Sequence, residues 1–501
     1  MKFLHYLRRT HLTFVIGFRH WQGWMKMMSK PQRLHPAAII FNFIRILREG
    51  IYAIILGFIT FRGVSFMYFI LALAVILILL ITISILTWYR FTYRIVEDEL
   101  RIEYGIFVKK KRFISKNRIQ SIDLTAGVIH RIFKLVKVEI ETAGSGSGAE
   151  GSLKAVTLAE GERVRSKLKK TGLEQEEMDM EVEIPPQPSF TVSFKRLFLA
   201  GSTSGSVGII LAFFFFGFSQ LEQFIPESYY ENTLAWIIGS SITLIIGLGI
   251  IVLVLLWLFG IAGTMIKYGN FTITKNDNEL FITRGLLEKK QSTIPLSRIQ
   301  AVGIQESMIR QPLGYVTVFA EVAGGVADKG DDFSTVLFPM MKKAEVNAFL
   351  GEILPEYAVQ QDEMTALPGR AQKYYVIRAL LPLLLPLAAV LYFIPRFFWI
   401  PVILMILSWV IGNLRFRAGG YHIADDCLIV RYRTFNKITM IMYHKRIQAF
   451  ERMQHLMHRK EDLATVKLSI IGVSGSGKHY TLKELAVADA DQLADWCSYR
   501  D

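Results

Sequence analysis

Cysteine is nearly missing from this chain: Cys427 and Cys497 are the only two in 501 residues. Two isolated thiols exclude a disulfide framework and a cysteine-built metal site, and they fit a reducing compartment. The sequence also lacks a zinc-protease helix, a nucleophile elbow and a catalytic carboxylate pair. No catalytic, metal or cofactor residues are therefore expected, and a non-enzymatic protein is. Charge is absent over long stretches, since neither Phe66 to Trp88 nor Leu234 to Ile266 contains an Asp, Glu, Lys or Arg. Runs of that length, in a chain that is 52% hydrophobic, exclude an ordinary soluble enzyme. Residues 1–35 lack a long apolar core and a small-residue cleavage site, which argues against a signal peptide. Two readings fit this basic, aromatic segment: an interfacial anchor helix, or an over-long start with true initiation at Met27 or Met28.

The charge-free runs point to a bilayer, whose hydrocarbon core of ~30 Å takes ~20 helical residues to cross. Leu197 to Leu221 is a further uncharged run. Near the C-terminus, Arg378, Arg396 and Arg415 bracket two shorter ones with Pro382, Pro386 and Pro401 inside. Proline is tolerated where neighbouring helices re-satisfy the freed backbone groups. The first leg of the first pair is interrupted by Arg45, Arg48 and Glu49. It reads either as a helix starting near Ala38 with snorkelling arginines, or as a buried or re-entrant segment. The loop Ser219 to Asn232 has three glutamates and no basic residue, whereas Arg90, Arg94, Lys109 to Arg112 and Lys195-Arg196 flank the other ends. By the positive-inside rule the soluble parts face the cytoplasm. The net charge of +15 is spread along the chain, so no nucleic-acid partner is expected.

What the chain does contain is a repeat. Arg118-Ile119-Gln120, Arg298-Ile299-Gln300 and Arg446-Ile447-Gln448 each follow a strand leucine (Leu100, Leu280, Leu428) by 18 residues. Each precedes a glycine (Gly144, Gly324, Gly472) by 26. Three landmarks in one register, three times, mark one unit copied. In the second copy, Phe271 to Thr274, Glu279 to Arg284, Leu286 to Ile294, Arg298 to Ile304, Tyr315 to Val322 and Phe333 to Leu337 read as strands. An amphipathic helix over Lys342 to Leu354 closes the unit, as do Ala159 to Leu168 and Ala488 to Cys497 in the others.

The paired span, then Tyr93-Arg94-Ile95-Val96 with Leu100 and Gly105, then Arg118-Ile119-Gln120, resembles the membrane-anchored type of bacterial PH-like domain. The triplication is similar to the YdbT-type members of that family, and the likeness extends from about Arg33 to Ser498. It implies an α+β membrane protein: three transmembrane helical hairpins, each followed by a PH-like antiparallel β-sandwich or barrel with a C-terminal helix. It implies no catalytic residues, and it suggests a heteromeric complex with a smaller, single-unit membrane PH-like protein. The expected organisation is an N-terminal segment (1–35), hairpins at 36–88, 191–266 and 374–415, PH-like domains at 89–172, 267–357 and 416–501, and linkers at 173–190 (acidic, then proline-rich) and 358–373. Copy three has Arg433 where the others have Gly105 and Gly285, which predicts a differently shaped hairpin.

Arg118, Arg298 and Arg446 either grip an anionic headgroup or, with Gln120, Gln300 and Gln448, hold the module together, and the structural reading is preferred. Lys109, Lys110, Lys111 and Arg112 are the candidate contact with anionic lipid, at ~1 kcal/mol per cation near such a surface. The alternative is a solvated run that only enforces topology. His130, Arg310 and His458 share a register position, as do Arg131, Gln311 and Arg459. Gly472 to Lys478 imitates a phosphate loop, but His479 stands where Ser or Thr is needed and a strand follows. The preferred function is a membrane scaffold whose cytoplasmic modules bind proteins or lipids, in envelope maintenance or defence. The alternative is a transporter or lipid-handling protein working through the spans.

Overall fold

A computed structural model describes residues 31–60, 66–96, 99–142, 150–168, 188–203, 242–323, 335–358, 364–472 and 477–498. The landmark glycines Gly144 and Gly324, most of the 1–35 segment, the acidic part of the first linker and the loop Ser219 to Asn232 lie outside them. The chain divides into two compact units, Met1–Glu183 and Ile184–Asp501.

In the first unit β1 (Gln32–Arg33) precedes two helices, Ala38–Thr60 and Phe66–Arg90, and β2 (Thr92–Val96), β3 (Glu99–Tyr104) and β4 (Lys110–Ser115) follow them. β1 pairs antiparallel with β2, Gln32 opposite Tyr93, so the helical hairpin is inserted between two neighbouring strands of one sheet. β5 (Ile119–Ala126), β6 (Leu135–Thr142) and β7 (Gly151–Thr157) form the next antiparallel set, and the helix Leu158–Leu168 ends the module. Period-two alternation puts Leu100, Ile102, Ile122, Leu124 and Val138 on inward faces, where Val164 and Leu168 of the helix join them in one core.

The second unit uses the same plan twice. β8 (Ser189–Thr191) pairs with β9 (Thr272–Asn276), followed by β10 (Glu279–Arg284) and β11 (Lys289–Pro295). β12 (Ile299–Glu306), β13 (Tyr315–Val322) and β14 (Thr335–Lys342) come next, then the helix Val346–Ile353. In the third module β15 (Thr365–Ala366) pairs with β16 (Gly420–Ala424) across the helices Gln372–Phe393 and Trp399–Ala418. β17 (Cys427–Arg433), β18 (Lys437–Tyr443), β19 (Ile447–Met453), β20 (Leu463–Ile471), β21 (Gly477–Ala486) and the helix Val487–Cys497 complete it. The strand leucines Leu100, Leu280 and Leu428 are fully buried in every copy.

This corrects one expectation. β8 straddles the end of the stretch 173–190, β15 falls within 358–373, both read as linkers, and β1 falls within the N-terminal segment. Each module thus begins before its hairpin. Strands of two or three residues are too short for any hydrophobic period to reveal.

Among the described residues, four helices are long and apolar enough to cross a membrane: Ile70–Arg90, Ile246–Tyr268, Gly369–Phe393 and Pro395–Ala418. The first leg of the first pair forms a 23-residue helix, Ala38–Thr60, that carries Arg45, Arg48 and Glu49. Of the first leg of the second pair, the described part is the helix Phe194–Ser202.

Within the second unit β12 pairs with β18, Gly303 opposite Met440, so the second strand set of the middle module runs into the first set of the third. Both faces of β17 and β18 are consequently covered. Ile429 and Ile441 belong to the middle module's core, while Leu428, Val430, Met440 and Met442 belong to the third module's. An unbroken apolar run such as Cys427 to Val430 is what two buried faces require, in contrast to the alternation of β3. At the join, Gly303 leaves room for the buried Phe319 ring, which a Cβ there would approach to 2.1 Å. Gly303→Val should therefore destabilise this unit by ~1–3 kcal/mol, as overpacking does. A lower thermal midpoint in detergent would register this, and an unchanged midpoint would contradict the shared-sheet packing.

Candidate membrane-facing site

The Arg-Ile-Gln tripeptides occupy one corner in all three modules. A single 3-10 turn (Lys116–Arg118, Leu296–Arg298, His444–Arg446) ends on the arginine, and the next strand begins on the isoleucine. Pairing then skips Gln120, Gln300 and Gln448, each the extra residue of a β-bulge. A bulge bends its strand and sharpens the twist, which turns the chain from one sheet to the other. In the middle copy the Arg298 carbonyl accepts from Gln300 Nε2 (3.2 Å) and from the Ala323 amide (3.0 Å). Ile299 is fully buried, and its carbonyl accepts from the Tyr357 hydroxyl at 3.3 Å. These bonds build the corner in the middle copy, while Arg118 is exposed and Arg298 and Arg446 are half-buried.

The cation run lies elsewhere, on the β3–β4 hairpin. Its tip turns on Gly105, whose φ of +113° is a left-handed conformation that favours glycine. A Cβ there would lie 2.0 Å from the Val108 carbonyl oxygen. Phe107 at the tip is 99% exposed and Val108 68%. Lys110, Lys111, Arg112 and Phe113 follow, all exposed. Lys109 Nζ sits 2.6 Å from Glu103, a contact that holds the Glu103 carboxyl below its ordinary range. Arg112 donates to the Glu150 carbonyl. A fully exposed phenylalanine beside four cations is an amphipathic tip, of which charge patterning alone marks only the cations. The clue was present as Ile106-Phe107-Val108 between a glycine and the basic run.

The equivalent tips rest against the ends of membrane helices. Gly285 N–H donates to the Gly269 carbonyl (2.7 Å) and Leu286 N–H to the Ile266 carbonyl (2.9 Å), with Leu286 and Leu287 exposed. In the third module Arg415 Nε donates to the Thr434 carbonyl (2.8 Å), and its guanidinium lies 5.7 Å from the exposed Phe435 ring. With Arg433 in place of glycine, β17 and β18 pair as far as Arg433–Lys437, leaving a three-residue loop. The hairpin is differently shaped, as its sequence indicates.

The register position of His130, Arg310 and His458 proves to be where each module grips the first helix of its own hairpin. The His130 ring stacks on Phe41 at 3.8 Å, and Lys154 Nζ donates to Asn42 Oδ1 at 2.9 Å. Arg310 reaches Thr203 and Ala200 at the end of Phe194–Ser202. His458 Nε2 is 3.6 Å from the buried Glu484, which also pairs with Arg378 of the third hairpin. Of the neighbouring residues, Gln311 accepts from Arg433.

The phosphate-loop imitation is settled by its lysine. Gly477–Ala486 is a strand, and Lys478 Nζ lies 2.5 Å from the buried Glu321 of β13. Residues 473–476 of that motif lie outside the described set. Among the described residues no cluster of His, Cys, Asp or Glu could hold a metal ion. Burial pushes both thiols up to about 12, the opposite of an activated nucleophile.

Burial holds the His458 imidazole below its usual range, against the pull of Glu484. A folded-state pKa below the unfolded one gives stability that is present above the unfolded value of ~6.5 and lost as pH falls below it. Thermal midpoints measured in detergent from pH 7.5 down to 5 should fall more steeply for the native chain than for His458→Gln. Parallel curves would show that this histidine does not titrate with unfolding.

A family model described as bacterial PH domain matches residues 50–171, 228–357 and 379–501, one match per module. The UPF0699 transmembrane protein YdbT of Bacillus subtilis (strain 168) is 36% identical over 490 residues, which covers 94% of this chain and 99% of that protein. No solved structure matches. With paired membrane helices, a repeated corner and three matches in register, the chain belongs to the bacterial PH domain family as a membrane protein of the YdbT type.

Proposed function

We propose that this protein is a non-enzymatic scaffold of the bacterial inner membrane, with its PH domains on the cytoplasmic side and their hairpin tips in contact with the bilayer surface. The observation that carries this reading is the first tip: a fully exposed Phe107 followed by Lys109 to Arg112. Its counterparts in the other modules lie directly against the last turn of a membrane helix. An apolar side chain gains by entering the acyl boundary, and cations beside it gain from anionic headgroups. The basic residues on the module side, opposite the acidic loop Ser219 to Asn232, support the cytoplasmic orientation. The sheet edges and module surfaces would serve protein partners, among them a smaller single-unit relative in a heteromeric complex, and the setting that fits is envelope maintenance or defence.

A benzophenone amino acid placed at position 107 in the full chain, irradiated in living cells, tests the assignment. Phospholipid adducts are expected, and their anionic share should fall when Lys109, Lys110, Lys111 and Arg112 are all changed to Gln. Adducts to protein alone would replace lipid contact with partner binding at this tip.

A further inference from the structure

A cavity of about 530 Å³ lies beside the membrane helix Ile242–Tyr268 of the middle module, and Arg310 forms part of its wall. Gly260, Gly263, Thr264 and Lys267 line it from the last two turns of that helix, within the segment apolar enough to cross a membrane. Met308 and Phe435 add apolar surface, and among the described residues no Asp or Glu lines it. The volume is within the ~300–1,000 Å³ usual for small-molecule sites.

Arg310 is the unusual member. Nε donates to Thr203 Oγ1 at 2.8 Å and Nη2 to the Ala200 carbonyl at 2.9 Å. Nη1 donates to Thr317 Oγ1 at 2.7 Å and to the Pro339 carbonyl at 3.5 Å. All four oxygens are neutral. The side chain is oriented from four directions while its charge meets no carboxylate among the described residues, and burial lowers its pKa. A cation withdrawn from water without a counter-charge is costly. The same register position elsewhere is handled differently: His130 stacks on an aromatic ring, and His458 faces Glu484. Capping the helix Phe194–Ser202 would explain the Ala200 bond, but it explains neither the cavity nor the missing acid.

We infer that this cavity binds the phosphate group of an anionic phospholipid, with Arg310 as the principal cation and Lys267 nearby. The choice of a lipid over a free anion rests on the wall. It runs from the charged end of a membrane helix up past two glycines into its apolar part, and so suits a molecule with both a phosphate and a hydrocarbon portion. A soluble ion would have no use for the apolar half. A guanidinium fixed by neutral acceptors is preorganised for a phosphate oxygen.

The test uses the full chain in mild detergent loaded with a mixture of phosphatidylglycerol and phosphatidylcholine, washed, and assayed by mass spectrometry for retained lipid. Wild type should keep phosphatidylglycerol selectively. Arg310→Gln should reduce that retention about tenfold or more, the scale of a lost charge-assisted hydrogen bond, and Arg310→Lys should reduce it less. Gly263→Leu is the second variant: Gly263 lines the cavity and a Cβ there meets nothing within 4 Å, so the change is aimed at the cavity and spares the Arg310 side chain itself. It should cost retention while the thermal midpoint holds. The quadruple glutamine variant of Lys109 to Arg112 should retain lipid as wild type does, which separates this site from the tip contact proposed above. Equal retention in wild type, Arg310→Gln and Gly263→Leu would overturn the inference. So would displacement of the lipid by excess inorganic phosphate, or loss of retention in the quadruple variant.

Discussion

The pairing of a two- or three-residue strand across a helical hairpin is what makes each module and its membrane segment one object. Gln32 opposite Tyr93, Ser189 opposite Thr274 and Thr365 opposite Tyr421 close a loop whose contents are the paired helices. Few hydrogen bonds are involved, yet their position matters. A chain entering and leaving the membrane region at adjacent strands fixes both helix ends against one sheet. The closure is reinforced locally: the Trp88 indole donates to the Leu34 carbonyl at 2.9 Å, and Val192 N–H to the Phe271 carbonyl at 3.1 Å. A module held in this way keeps the tip of its second hairpin next to a helix end.

Repetition does not mean equivalence. β12 and β19 follow the same Arg-Ile-Gln corner, but β12 reads Ile-Gln-Ala-Val-Gly-Ile-Gln-Glu and is buried along most of its length, because β18 lies beside it. β19, paired only with β20, carries Glu451 and Arg452 at exposed positions. Charges on a free edge discourage pairing with another chain. The same corner can therefore open onto a neighbouring module or onto solvent, and the residues two to six places after it state which.

The polar contacts between modules and hairpins also diverge from a common position. A stacked histidine with a lysine–asparagine bond, an arginine bonded to four neutral oxygens, and a histidine beside an Arg–Glu pair all occupy the same place in the repeat. Each solves the problem of joining a wet sheet to a membrane helix. The middle solution sets a positive charge beside a cavity, with no carboxylate among the described residues bonded to it.

The sequence by itself determined the triplication, the α+β class, the strand leucines, the corner tripeptides, the closing helices and most of the apolar spans. All of these are carried by periodicity and spacing along a single segment, which residue order records directly. The four cations of the first tip were also legible, and so was the odd hairpin signalled by Arg433. Tertiary structure alone decided that each module begins before its hairpin and that β12 and β18 share a sheet. It alone turned Gln120, Gln300 and Gln448 into bulge residues and set Arg310 against Thr203, 107 positions away. These are pairings between segments remote in the chain, and their partners are chosen by packing and hydrogen-bond satisfaction, on which local patterns are silent.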